Sequence, residues 1–296
     1  MSNRYAAALF FLVFIFLSGC VLQDIFGREE PATVTKTQVS GVVVDFLDSS
    51  PPDLVLQNRD FKIEPLVENR GDYAIKKGEI TVTADGEFVL SQGGSLGWTN
   101  TEPLIAGYQG EAMDQAIITS YPPVKYISGL LGDTAGKLAV KATACYTYET
   151  RVRGEACVGA TVDSKLCTDK GDKLINNTGA PIQVTAIQQK SFGDTINLDF
   201  AIERLAKGQV WSLDSDSCSG DGELFLGVKS VTLGGNDISR NCVREAKPNR
   251  QTKTDVISCK DIPVSVSTAA LVKNIEMVLR YRYSVEGSRL VTVEAA

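Results

Sequence analysis

The chain has 296 residues, 36 acidic against 30 basic side chains, a formal net charge of -6 and no histidine. That balance supplies no basic footprint for nucleic acid, which excludes that class of partner. Without histidine the commonest general base and the commonest transition-metal ligand are both missing, so His-based triads and His-containing zinc sites are excluded as well.

From Ala6 to Leu17 every side chain is apolar, preceded by a short segment with the single Arg4 and followed by the small residues Ser18 and Gly19. This is the layout of a secretory signal. The run is shorter than the roughly 20 residues a membrane-spanning helix needs, although Val21 and Leu22 extend it, and a retained anchor stands as the alternative. Leu17-Ser18-Gly19-Cys20 resembles the lipobox of prokaryotic lipoproteins, which implies a lipid on Cys20 and the membrane as a partner. Residues 1–20 then read as the signal and 21–34 as a polar tether. The remainder is expected on the extracellular face of the cell membrane, lipid-anchored, with plain secretion or a single helical anchor as alternatives.

Past the tether the periodicity is that of strands. In GEITVTADGEFVL, Ile80 and Val82 alternate with Thr81 and Thr83, and Asp85-Gly86 reads as a hairpin turn leading into Phe88. EPLIAGYQGEAMDQAIITSYPP is ambiguous between a short helix and an extended loop. In KLAVKATACYTYET, Val140, Ala142, Ala144, Tyr146 and Tyr148 fall on one face. IQVTAIQQ and TINLDFAIE are alternating runs parted by Phe192-Gly193-Asp194, and ELFLGVKSVTLGG continues the series. Near the end Ile275, Met277, Leu279, Tyr281 and Tyr283 share a side, and Glu286-Gly287 reads as the turn of a closing hairpin. Many short strands, each burying one face, predict an all-β fold of two antiparallel β-sandwiches in tandem. A chain of this length also exceeds the usual size of one core. The first sandwich is expected at 35–165, a linker rich in Gly, Asn and Asp at 166–180, and the second sandwich at 181–296.

Seven cysteines are present. Beyond Cys20 the other six are Cys145, Cys157, Cys167, Cys218, Cys242 and Cys259. An even number in an exported chain implies up to three disulfides. Cys145 and Cys157 flank a stretch read as a hairpin around Arg151 to Gly154, which would bring them opposite each other. Cys242 and Cys259 flank a turn at Lys247 to Arg250. By elimination Cys167 would pair with Cys218.

Phe61 to Phe88, FKIEPLVENRGDYAIKKGEITVTADGEF, resembles the entry of an immunoglobulin-like domain of the CARDB kind found in prokaryotic surface proteins. There an extended strand runs into Asn-x-Gly-Asp, and Asn69, Gly71 and Asp72 occupy those places. CYTYETRVRGEACVG and GAPIQVTAIQQ are similar to segments of exported archaeal proteins with paired sandwich domains. The resemblance covers about half of the chain in patches. It implies the immunoglobulin-like fold and a surface location, with no chemistry.

Several residues invite a functional reading. Asp214, Asp216, Asp221 and Glu223 cluster oxygen donors of the kind calcium favours, but counting from Asp214 the sixth position is Ser219 and the twelfth Phe225, so an EF-hand loop fails. No other cofactor is expected, and no firm metal site. The same carboxylates are candidates for glycoside hydrolysis, which needs two of them at a set separation. Asn176-Asn177-Thr178 is an N-glycosylation sequon. Arg70-Gly71-Asp72 has the form of an adhesion ligand, against which a structural turn accounts for Gly71 and Asp72. Trp98 reads either as an exposed contact or as a lid over its own core. The expected function is a non-catalytic structural, adhesion or assembly module of the cell envelope, with envelope proteins or glycans as partners. A glycan- or ligand-binding protein using loops at the domain junction is the alternative, and a carboxylate-dependent glycoside hydrolase is the third reading.

Overall fold

The computed structural model describes residues 39–127, 135–159, 167–171, 173–213, 218, 226–243, 245–246, 254–265 and 269–296. The chain first lays down β1 (Val42–Phe46), β2 (Leu54–Leu56), β3 (Asp60–Phe61), β4 (Pro65–Asn69) and β5 (Ile80–Asp85). Short strands follow: β6 (Val89–Leu90), β7 (Gly97–Thr99), β8 (Gln115–Ile117) and β9 (Val124–Lys125). Next come β10 (Gly136–Val158), β11 (Ile175–Asn177), β12 (Ile182–Phe192), β13 (Thr195–Arg204) and β14 (Gln209–Trp211). The last are β15 (Leu226–Leu233), β16 (Asn236–Asp237), β17 (Glu245–Ala246), β18 (Thr254–Pro263) and β19 (Leu271–Glu294). The fold is all-β and almost wholly antiparallel, as the alternating pattern requires; the segment around Leu104 to Tyr121, ambiguous by sequence, contains β8 and no helix.

Two strands organise the molecule. β10, of 23 residues, pairs antiparallel with β19 in unbroken register from Gly136↔Val293 to Val158↔Leu271. At about 3.3 Å per residue this ribbon extends for about 75 Å. It is the centre of a sheet ordered β16-β15-β19-β10-β5-β7. The first half of β10 pairs with β5, and on the same inner face the sheet β1-β4-β8 packs against it. The second half of β10 pairs with β11, and there the facing sheet is β12-β13-β18. Two sandwiches therefore follow one another along a shared ribbon. The chain passes between them in mid-strand, first within β10 and again within β19, and all of it belongs to the compact unit Val34–Ala296. Within the stretch read as a linker, Ile175–Asn177 is β11 and is laddered to Val152–Gly154.

Three expected hairpins are corrected. Arg151 to Gly154 and Glu286-Gly287 do not turn: both lie inside the continuous ribbon, with Gly154 opposite Ile275 and Gly287 opposite Ala142. Their glycines serve the facing sheets. A Cβ on Gly154 would stand 2.6 Å from the Ile187 side chain, and one on Gly287 would stand 2.4 Å from the Val44 carbonyl oxygen. Each marks a close approach of one sheet to the other. Asp85-Gly86 ends β5, but β6 then pairs with β9, and β5 takes β7 as its neighbour. The hairpin at Gly193, where φ is 65°, forms as expected between β12 and β13.

The disulfides follow from this topology. Cys145 and Cys157 lie on one strand, so they cannot face each other, and the expected bridge between them is replaced by Cys145–Cys218 and Cys157–Cys167. The expected pairing of Cys167 with Cys218, which rested on the first by elimination, is not formed, since each of them takes one of the two β10 cysteines. Cys242–Cys259 forms as the spacing indicates. It joins β18 to the segment leading into β17, which itself pairs with β15, and so ties the two sheets of the second sandwich at a corner.

Candidate functional site

The inward alternation of the ribbon places Tyr146 opposite Tyr283 and Tyr148 opposite Tyr281 where the two sandwiches meet. All four side chains are buried. Their rings stand 5.9–6.3 Å apart, tilted or edge to face, in the offset arrangements whose pairs each contribute about 0.5–1.5 kcal/mol beyond burial. A fifth ring, Tyr73, meets Tyr148 edge-on at 5.3 Å.

Three of the four hydroxyl protons are spent on the chain around them. Tyr148 donates to the Gly179 carbonyl at 3.0 Å and Tyr283 to the Ala206 carbonyl at 3.1 Å. Thr150 gives its proton to the Ile182 carbonyl at 2.8 Å, which leaves Tyr281 as the donor in the 2.9 Å bond between Tyr281 and Thr150. The Tyr146 hydroxyl accepts from the Val42 amide at 3.3 Å, and its own proton meets no acceptor among the described residues.

Asn69, Gly71 and Asp72 are part of the same joint. The Asn69 amide donates to the carbonyls of Tyr73 and Ile105 and its oxygen accepts from the Gly71 amide, which fixes the turn after β4. Gly71 passes so close to Tyr148 that a Cβ there would lie 1.7 Å from the phenol oxygen. The Asp72 carboxylate accepts from the Gly179 amide at 2.6 Å, while the Asp72 amide donates to the Gly179 carbonyl at 3.0 Å. The adhesion-like triplet is thus a docking turn: Arg70 is held by Glu68, and Asp72 by Gly179 in the bend between β11 and β12. On the outer face of the ribbon the buried Glu149 is compensated by Lys229 at 2.8 Å and Arg280 at 3.8 Å, and Arg280 also reaches Glu79.

Burial raises every phenol of the plate. Tyr146 and Tyr281 lie well above the ordinary range, chiefly by desolvation, Tyr148 and Tyr283 are raised for the same first reason, and Tyr73 is pushed up to about 12 by desolvation and then by the Glu79 carboxylate. A phenol proton held more tightly in the folded than in the unfolded chain stabilises the fold fully below about pH 10, and that contribution is lost as pH rises through the raised values. The urea midpoint is therefore expected to hold up to about pH 9 and to fall steeply above about 10. Phenolate absorbance from the plate tyrosines should appear only with unfolding. Plate phenols ionising in the folded protein at the ordinary tyrosine pH would contradict the buried joint.

Beside the plate lies a cleft of about 270 Å³ to which both sandwiches contribute: Arg70 and Gly110 from the first, Pro181 and Lys207 from the second, and Tyr146 and Tyr283 from the ribbon. The start of β1 and Val285 complete an apolar wall. The lining holds two cations and no carboxylate. Arg70 is engaged by Glu68, whereas the exposed Lys207 has no ion pair among the described residues.

Of the residues singled out by sequence, Asn176 is exposed on β11 while Asn177 points inward and exchanges hydrogen bonds with Val184 at 2.9 Å, so only the first asparagine of the sequon presents its amide to solvent. Trp98 is half-buried on β7 against the core of the first sandwich, the lid role. Cys20 and the carboxylates Asp214, Asp216, Asp221 and Glu223 lie outside the described residues. Among the described residues no group of three or more Cys, Asp or Glu is placed to hold a metal ion. Sequence reading missed the joint, although the repeated Tyr-x-Tyr at 146–148 and 281–283 is its signature once the two strands are put in register.

No family model matches the chain. No curated protein matches it either. Among solved structures it is similar to the Salmonella enterica SafA pilin in complex with the SafB chaperone, with 12% identity over 78% of this chain and 88% of that one, at a TM-score of 0.20. A likeness at that level carries neither family nor function.

Proposed function

We propose that the protein is a non-catalytic structural, adhesive or assembly module displayed at the cell envelope and anchored by a lipid on Cys20. The observation that carries this reading is the shared ribbon. Two sandwiches built on the same pair of strands, with tyrosines packed across the joint, cannot swing about a linker, and a fixed joint suits a part that holds or spaces other parts. Three disulfides fit an oxidising exterior. The CARDB-like run from Phe61 to Phe88 supports a surface location by resemblance.

The test is fractionation of the native cells with Cys20→Ser beside the wild type. The wild type is expected in the membrane fraction, digestible by protease added to intact cells, and the variant in the medium. A wild-type chain found in the cytosol with free thiols would overturn the proposal. The alternative, a ligand-binding protein that uses the junction of the sandwiches, is favoured by the cleft between Lys207 and Tyr146.

A further inference from the structure

We infer that the cleft at the joint is a binding site for a small monocarboxylate, about the size of a single sugar acid or amino-acid residue. This rests on the ligand-binding reading and adds the chemistry of the ligand. Four observations converge. The Tyr146 hydroxyl is 1% exposed as a residue, lines the cleft and has a proton with no acceptor among the described residues, whereas the protons of Tyr148, Tyr281 and Tyr283 are all taken by protein oxygens. The Tyr146 hydroxyl takes part in the protein as an acceptor from the Val42 amide, which leaves its proton available to a ligand oxygen. The second is Lys207, an exposed residue that lines the same cleft and has no ion pair among the described residues. Third, no carboxylate lines the cleft, although the chain as a whole carries a net charge of -6. The local field therefore opposes the global one and selects an anion.

The fourth observation is size and surface. The cleft, at about 270 Å³, lies just below the range of about 300–1,000 Å³ typical of pockets for larger ligands. Val42, Val43, Val285, Pro181 and Ala206 give it an apolar wall against which the carbon body of a small acid would rest. Gly41 marks a close approach of backbone to the phenol: a Cβ there would stand 3.2 Å from the Tyr146 oxygen and 3.3 Å from Pro181. A phenol and a lysine lining one cleft suit a carboxylate, since hydrogen bonds in which one partner is charged are the stronger kind. A neutral sugar would leave the ammonium without a counter-charge.

Calorimetric titration of the full-length protein with glucuronate, N-acetylglycine and glucose tests this. Glucuronate or N-acetylglycine is expected to bind, and which of the two binds more tightly tells a sugar acid from a peptide-like acid; glucose is expected not to bind. Tyr146→Phe, which keeps the ring and removes the hydroxyl together with the bond it accepts from the Val42 amide, should weaken binding about tenfold or more. Lys207→Glu, at an exposed position, should weaken it at least tenfold and serves if the phenylalanine variant does not fold. Binding of glucose equal to that of glucuronate would overturn the carboxylate while leaving a ligand site standing. No binding by any of the three up to millimolar concentrations would overturn both, and unchanged affinity in both variants would remove this cleft as the site.

Discussion

Replacing Tyr148 by alanine is expected to lower stability by about 3–5 kcal/mol, and to lower it for both sandwiches at once. The magnitude is that of deleting a fully buried aromatic ring. Tyr148 is 0% exposed, touches Tyr73, Tyr146 and Tyr281, donates to Gly179 and accepts from the Tyr73 amide. Its neighbours come from the first sandwich, the second and the ribbon, so the cavity would open in the joint itself. The chain has two tryptophans. Trp98 reports on β7 in the first sandwich and Trp211 on β14 next to the joint. Urea unfolding of single-tryptophan variants should give coincident transitions in the wild type and a coincident, lower midpoint in Tyr148→Ala. Tyr148→Phe, which keeps the ring and loses the hydroxyl, should cost only about 1–2 kcal/mol. Two separate midpoints in the wild type would show that the sandwiches fold independently and would remove the rigid joint on which the proposed function depends.

Removal of the Cys145–Cys218 bridge by a double serine substitution should cost about 4 kcal/mol on the chain-entropy model, against about 3 kcal/mol for Cys157–Cys167. The difference follows from loop length: the first bridge closes a separation of 73 residues and the second a separation of 10. Cys145 lies in the part of β10 paired with β5 and sits opposite Ser284 of β19, so this bridge pins the segment after β14 onto the centre of the ribbon. The measurement is the denaturant midpoint of each double variant at unchanged slope. A larger loss at the ten-residue loop than at the long one would mean that native contacts, not the unfolded chain, carry the stabilisation.

The alternating face of Val140 to Tyr148 and the odd-numbered face of Ile275 to Tyr283 were legible as buried strand faces, because a period of two is a local property of the chain. Cys242 and Cys259 were legible as a pair for a similar reason, being only 17 residues apart in sequence. Gly154 and Gly287 were not legible. A glycine in an alternating run reads equally as a turn or as a place where another backbone comes near, and only the facing sheet, with Ile187 at one and Val44 at the other, distinguishes them. Once those two turns are removed, Cys145 and Cys157 fall on one strand and their partners must come from elsewhere.

The sequence by itself determined the all-β class, the inward faces of the long strands and, from its even cysteines, a covalently stapled fold. These depend on neighbours within a few residues or on composition. Tertiary structure alone decided that the sandwiches share a ribbon, that Asn69, Gly71 and Asp72 dock onto Gly179, and that Tyr146, Lys207 and Arg70 border one cleft. Each of those joins residues from about 60 to more than 150 positions apart, and what brings them together is the register of β10 against β19 and the packing of sheet on sheet.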